Sequence, residues 1–205
     1  MKYNGPKARR ARRQGMNLFG SDKYDKILQR KPYGPGKGPK TRSGRDSEYA
    51  KQLKEKQKAK DIYGLSEKQF RNMYKAAVKT KGRTGDMLKQ LLEQRFDNAI
   101  YRAGFSLTRL QSRQFAGHGL FLIDGQRVTT PSYKVMPGQM ITVRKQAKDS
   151  PVFTGIRERH EKYLPPKWLK VDSAALQAEV VAVPDAADAE QAVDMRLVIE
   201  FYSRN

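Results

Sequence analysis

Two thirds of the excess positive charge of this chain sits in its first sixty residues, where 19 lysines and arginines face 5 acids, a surplus of 14 out of 21 overall. Aliphatic side chains are sparse there and glycine and proline frequent. Residues 1–45 therefore lack the apolar surface needed to offset chain entropy as an independent fold. A basic, extended arm that orders on a polyanion is expected. The runs Lys7-Ala8-Arg9-Arg10-Ala11-Arg12-Arg13 and Lys37-Gly38-Pro39-Lys40-Thr41-Arg42-Ser43-Gly44-Arg45 place cationic groups on pliant backbone, which suits the irregular phosphate spacing of structured RNA. The candidate contacts are Arg9, Arg10, Arg12, Arg13, Lys37, Lys40, Arg42 and Arg45. Tyr3, Phe19, Tyr24 and Tyr33 interleave these charges, as stacking platforms for bases or as anchors onto a folded body. Clustered arginines with no acid before Asp22 also fit a mitochondrial targeting segment, but Gly5-Pro6 and Gly15 interrupt the amphipathic helix it would need.

The remaining sequence closes several functional classes. Absence of cysteine excludes disulfides, thiol nucleophiles, iron–sulfur clusters and thiolate zinc sites. No run approaches the ~18 apolar residues of a membrane span, and the N-terminus lacks a secretory apolar region, so a soluble, unsecreted protein with no membrane partner is expected. His118 and His160 are the only histidines and lie far apart in sequence, so no metal site and no cofactor is expected. Tyr33-Gly34-Pro35-Gly36-Lys37-Gly38 is glycine-rich but follows no strand and contains proline, unlike a phosphate-cradling loop. Glu158 and Glu161 beside Arg157 and Arg159 form an ordinary helix-surface mixture. No catalytic constellation emerges.

Periodicity predicts a lysine-rich helix over residues 46–62 with Tyr49, Leu53 and Ile62 on its apolar side, and Lys51, Lys54 and Lys58 among its candidate RNA contacts. Ser66 and Gln69 form a capping box before Phe70, Met73, Tyr74 and Ala77, and this second helix, which carries Arg71, runs to about Lys81. A third follows Thr84. Phe96, Ala99, Ile100 and Ala103 then mark a short helix whose outer side would carry Arg95, Asn98 and Arg102. Ser106 or Thr108 caps another, with Arg109 and Arg113 four residues apart on one face. Two successive helices would thus present arginines outward. Asp124-Gly125 between Leu120-Phe121-Leu122-Ile123 and Gln126-Arg127-Val128 is a strong hairpin signal. Met140–Val143, Trp168–Val171, 179–183 and 197–201 read as further strands, 151–163 as weakly helical. The acidic, alanine-rich run at 185–192 reads as a surface loop or short helix.

The series Arg95-Phe96-Asp97-Asn98-Ala99-Ile100-Tyr101-Arg102-Ala103-Gly104-Phe105, Thr108-Arg109-Leu110-Gln111-Ser112-Arg113-Gln114-Phe115, Gly119 and Asp124-Gly125-Gln126-Arg127-Val128 resembles the α-L RNA-binding module. Gly5-Pro6-Lys7, Arg12-Arg13-Gln14-Gly15, Tyr33-Gly34-Pro35-Gly36, Pro131-Ser132-Tyr133 and Val198-Ile199-Glu200-Phe201-Tyr202-Ser203-Arg204 extend the likeness over nearly the whole chain. It is similar to the bacterial-type family of small-subunit ribosomal proteins number four. The resemblance implies a component that binds small-subunit rRNA at a multi-helix junction early in assembly and stays there. It further implies a place beside the channel through which messenger RNA enters, contacts with ribosomal proteins number five and number three, and an influence on decoding accuracy. By position, Lys40, Arg42 and Arg45 face that channel, while Arg95, Asn98, Arg102, Thr108, Arg109, Arg113 and His118 face rRNA. Lys134 completes the candidate set. Many relatives hold zinc through cysteines in the arm, and this chain resembles the metal-free branch.

The expected architecture is α+β: a basic extended arm (1–45), a helical domain (46–92), the RNA-binding module (93–150) with two short helices on a mostly antiparallel sheet, and an extension (151–205) that completes the sheet and packs on the helical domain. The expected function is structural and non-enzymatic, in cytoplasmic ribosomes, with organellar ribosomes left open. The competing readings are a free RNA-binding stress or chaperone protein and an RNA-modifying enzyme. The latter carries the same module but needs a large catalytic domain, and too few residues follow residue 148 to form one.

Overall fold

A computed structural model describes residues 3, 5–36, 38–39, 44–148, 150–156 and 163–204. Lys37, Lys40, Arg42, His160 and residues 157–162 of the weakly helical stretch expected at 151–163 lie outside the described residues. The chain forms two compact units, Met1–Gly85 with Gln191–Asn205, and Asp86–Glu190. The expected 151–205 extension is therefore split: its strands belong to the second unit and its last helix to the first. No helix among the described residues is long and apolar enough to cross a membrane.

The first unit is helical. Its elements are α1 (Lys7–Gln14), α2 (Asp22–Arg30), α3 (Glu48–Ile62), α4 (Glu67–Lys79) and the C-terminal helix, which is α10 in chain order (Met195–Ser203); α5 (Thr84–Glu93) begins here. The expected extended arm is corrected, because α1 and α2 are regular helices that pack on each other, with α1 also against α3. Few apolar residues suffice: Ala11, Leu18, Phe19 and Tyr24 are all buried, and the Phe19 and Tyr24 rings lie 5.3 Å apart. Asn17 organises the turn between the helices, its Oδ1 accepting from the Phe19 and Gly20 amides and its Nδ2 donating to Asp25. Gly15 closes α1 at φ +70°, where a side chain would be strained. Phe19 and Tyr24 are thus anchors rather than base platforms.

The expected apolar side of α3 is borne out at Ile62, which is buried, and corrected elsewhere. Tyr49 is exposed, and the buried positions include Gln52, Lys56, Ala59 and Asp61. Polar groups can occupy that face because each has a partner. Lys56 Nζ donates to Glu67 (2.9 Å) and lies over the Phe201 ring, Gln52 donates to Glu200 (3.0 Å), and Asp61 pairs with Arg10. Residues 197–201, expected as a strand, form α10 instead. Leu-Val-Ile has strand propensity, but Met195, Val198 and Phe201 are buried at helical spacing and Asp194 caps the N-terminus by accepting from the Arg196 amide.

The second unit packs α6 (Phe96–Arg102) and α7 (Arg109–His118) with a five-stranded sheet of order β2-β1-β3-β5-β4, comprising β1 (Phe121–Ile123), β2 (Gln126–Arg127), β3 (Met140–Val143), β4 (Leu169–Asp172) and β5 (Gln177–Val180). Every described pairing is antiparallel. Two single-turn helices, α8 (Lys145–Lys148) and α9 (Pro151–Thr154), follow β3. The hairpin forms as its dipeptide demands, with Asp124 at φ 49° and Gly125 at φ 79°. Phe96, Ile100, Phe105, Phe115, Phe121 and Trp168 lie in one continuous core. The arginine-bearing helices are therefore fixed by a rigid apolar base.

Candidate nucleic-acid interface

Strand-like pairing fixes the start of α6. The Phe96 amide donates to Tyr133 O and the Val135 amide to Gln94 O, which sets Arg95 beside the exposed Lys134. Thr108 caps α7 through its hydroxyl, which accepts from the Gln111 amide, and this gives it a structural role. Between the two helices the arginines do not stand outward as expected. They form a network with carboxylates. Arg95 is buried and clasps Asp97 through two hydrogen bonds of 3.0 and 2.8 Å. Asn98 is also buried, donating to Glu93 while its Oδ1 accepts from Arg109.

Arg102 donates to both oxygens of Glu93 at 2.8 and 3.1 Å, and its carbonyl accepts from the Tyr163 hydroxyl. The Arg109 guanidinium lies 4.5 Å from the centre of the Tyr101 ring and donates to Glu190 at 3.1 Å. Arg113 approaches Asp97 at 3.7 Å, and burial, opposed by Asp97, lowers its pKa. The physical reason for the correction is the pair of interior carboxylates: burying Glu93 and Asp97 is costly unless cations and donors meet them, so the arginines are drawn in. Arg95 and Asn98 are thereby removed from the surface, while Arg102, Arg109 and Arg113 keep partial exposure. Glu93, Asp97, Tyr101 and Glu190 have no site role in the sequence reading, although Asp97 and Tyr101 lie in the motif and Glu190 in the acidic run. Glu93 precedes Arg102 by nine positions and Glu190 follows Arg109 by 81, spacings that carry no local signal.

The helical unit carries the more available cations. Arg9, Arg13, Arg45 and Arg71 are exposed and form no ion pair among the described residues. Arg10 is tied to Asp61 and covers the Tyr3 ring, and Arg12 donates to the carbonyls of Tyr33 (3.0 Å) and Gly34 (3.3 Å). Lys51 pairs with Glu48, Lys54 with Asp46, and Lys58 with Glu55 and the Ala192 carbonyl. His118 is exposed at the end of α7, where its carbonyl accepts from Arg127. Among the described residues no three metal-ligating side chains converge.

Two family models match the chain, meeting at the end of α5. Residues 2–93 match the ribosomal protein S4/S9 N-terminal domain, and residues 94–141 match the S4 domain. The chain is 42% identical over 207 residues to small ribosomal subunit protein uS4 of Natranaerobius thermophilus, with 99% of each chain covered. The protein of that name from Chlorobium limicola is 40% identical and that from Bacteroides fragilis 42%, again over 99% of each chain. The chain belongs to the uS4 family. Like its uS4 relatives it is a structural, non-enzymatic protein of the small ribosomal subunit, and rRNA binding is what the uS4 family implies. An RNA-modifying activity is accordingly set aside.

Proposed function

We propose that this chain binds small-subunit rRNA directly where several RNA helices converge, and that it does so early in subunit assembly. A surplus of 14 positive charges in residues 1–60 carries this reading. Packing of α1 against α2 and α3 leaves Arg9 and Arg13 exposed, so these cations are held on a defined surface before RNA arrives, which lowers the ordering cost of binding. A-form RNA is read through phosphate position and shape, the features a fixed array of arginines matches. Arg102, Arg109, Arg113, Lys134 and His118 supply the second unit's contacts, with Lys37, Lys40, Arg42, Lys51, Lys54, Lys58 and Arg71 adding to the first.

In the finished subunit the chain lies beside the channel through which messenger RNA enters, touches ribosomal proteins number five and number three, and so bears on decoding accuracy in the cytoplasm. Fractionation of cell extract through a high-salt gradient tests the permanent ribosomal home. Co-sedimentation with small subunits is the expected result. Recovery in the free pool would favour a stress or chaperone role instead.

A further inference from the structure

The first unit holds a cavity of about 670 Å³, within the size range of sites that take a small organic group. Ala50, Leu53 and Gln57 on α3 form one side of it, the last turn of α1 with Gly15 another, and the loop Pro32-Tyr33-Gly34-Pro35 a third. Arg12 fastens that loop. It donates to the Tyr33 and Gly34 carbonyls at 3.0 and 3.3 Å, and its guanidinium lies 5.1 Å from the centre of the Tyr33 ring. The cavity is thereby built before any ligand arrives.

Its lining combines three kinds of group. Tyr33, the Arg12 guanidinium and Leu53 supply flat and aliphatic surface, the kind against which an unstacked base rests. Gln57 makes no hydrogen bond among the described residues, so its carboxamide keeps both a donor and an acceptor for use. Gln14 donates through Nε2 to the Lys54 carbonyl at 3.0 Å, which fixes the orientation of its amide, and its buried Oε1 has no donor among the described residues. An acceptor left unmet in this way costs free energy. Arg12, Arg13 and Lys54 against Asp46 give the lining a surplus of two positive charges.

We infer that this cavity is a pocket for an unpaired adenosine of the rRNA. Adenine presents an amino donor beside a ring-nitrogen acceptor, the complement of the oxygen and NH2 of a carboxamide, so Gln57 matches its edge while the ring lies against the apolar lining. Arg13, exposed and in no ion pair among the described residues, takes the attached phosphate. A phosphate alone would engage the cations and leave the carboxamide and the apolar lining unmatched. The pocket deepens the reading of this chain as an rRNA-binding protein and rests on it. Arginines elsewhere supply sequence-independent affinity, and the pocket selects which unpaired nucleotide is accepted.

The test uses the full-length chain and an rRNA 5′-domain fragment across a salt series. Ala50→Phe fills the cavity, Gln57→Ala removes the carboxamide, and Arg13→Ala serves as the phosphate-contact control. Each of the first two is expected to weaken binding at least about fivefold. Neither removes a cation, so the slope of log K against log salt should stay as in wild type, whereas Arg13→Ala should make it shallower by about 0.7–0.9. Wild type should also shield N1 of one unpaired adenine from dimethyl sulfate, and Ala50→Phe should leave that adenine reactive. Thermal melting verifies folding, and Gln57→Ala, which breaks no hydrogen bond among the described residues, carries the test if Ala50→Phe fails to fold. Wild-type affinity in the folded pocket variants, or no adenine so shielded, with Arg13→Ala still impaired, would overturn the pocket and leave the rRNA reading standing. Failure of wild type to bind the fragment would overturn the rRNA reading and the pocket with it.

Discussion

Glu93 decides the local electrostatics of the second unit. Its carboxylate is fully buried and accepts from Asn98 and both arms of Arg102. Replacing Glu93 with Gln should lower unfolding free energy by about 3 kcal/mol in urea titration, because Arg102 and Asn98 lose a charged partner in the interior. Glu48→Gln, which breaks an exposed pair with Lys51, should change it by less than about 0.5 kcal/mol. Glu67 sets an acid limit on the first unit. Burial raises its pKa, but hydrogen bonds from Lys56, Tyr202 and Lys60 outweigh burial and bring the carboxyl below its usual range. A depressed folded value means the contribution is present above the unfolded pKa of about 4.3 and drains away as pH falls through the lower folded one. Melting temperature should therefore drop more steeply below about pH 5 in wild type than in Glu67→Gln. The arginines were legible in the sequence as residue types, and Thr108 as a cap. Their pairing was not, since the partners come from distant positions.

At the scale of elements, two features that ran against local reading make the strongest predictions. The side chain of Val198 on α10 is completely buried where helical spacing, not strand alternation, sets the contact. Val198→Asp should cost about 3 kcal/mol or more and should expose α3 amides to hydrogen exchange, because α10 covers that helix. Asn17→Ala removes the side chain that organises the turn between α1 and α2. Loss of about 1 kcal/mol is expected, with faster proteolysis confined to residues 5–36. Capping box, hairpin dipeptide and 3.6-residue spacing made α4, α6, α7 and the β1–β2 turn readable, because each signal is local. The arm and α10 were not readable, because the burial that stabilises them depends on α3, which lies outside their own windows.

For the whole molecule, charge is divided by function. Interior carboxylates neutralise much of the arginine on α6 and α7, whereas the helical unit keeps exposed cations that the fold itself does not consume. The surplus of 21 charges thus agrees in kind with the rRNA binding that the uS4 family implies, while burial decides which side chains are exposed. The most direct measurement is the salt dependence of full-length chain binding to an rRNA 5′-domain fragment, for wild type and for a variant with Arg9, Arg13, Arg45 and Arg71 replaced by alanine. None of these four is paired among the described residues, so the variant should fold and melt like wild type. The expected result is a slope shallower by about three, near 0.7–0.9 per lost phosphate contact, with binding weaker at every salt concentration. An unchanged slope and unchanged affinity would contradict the account.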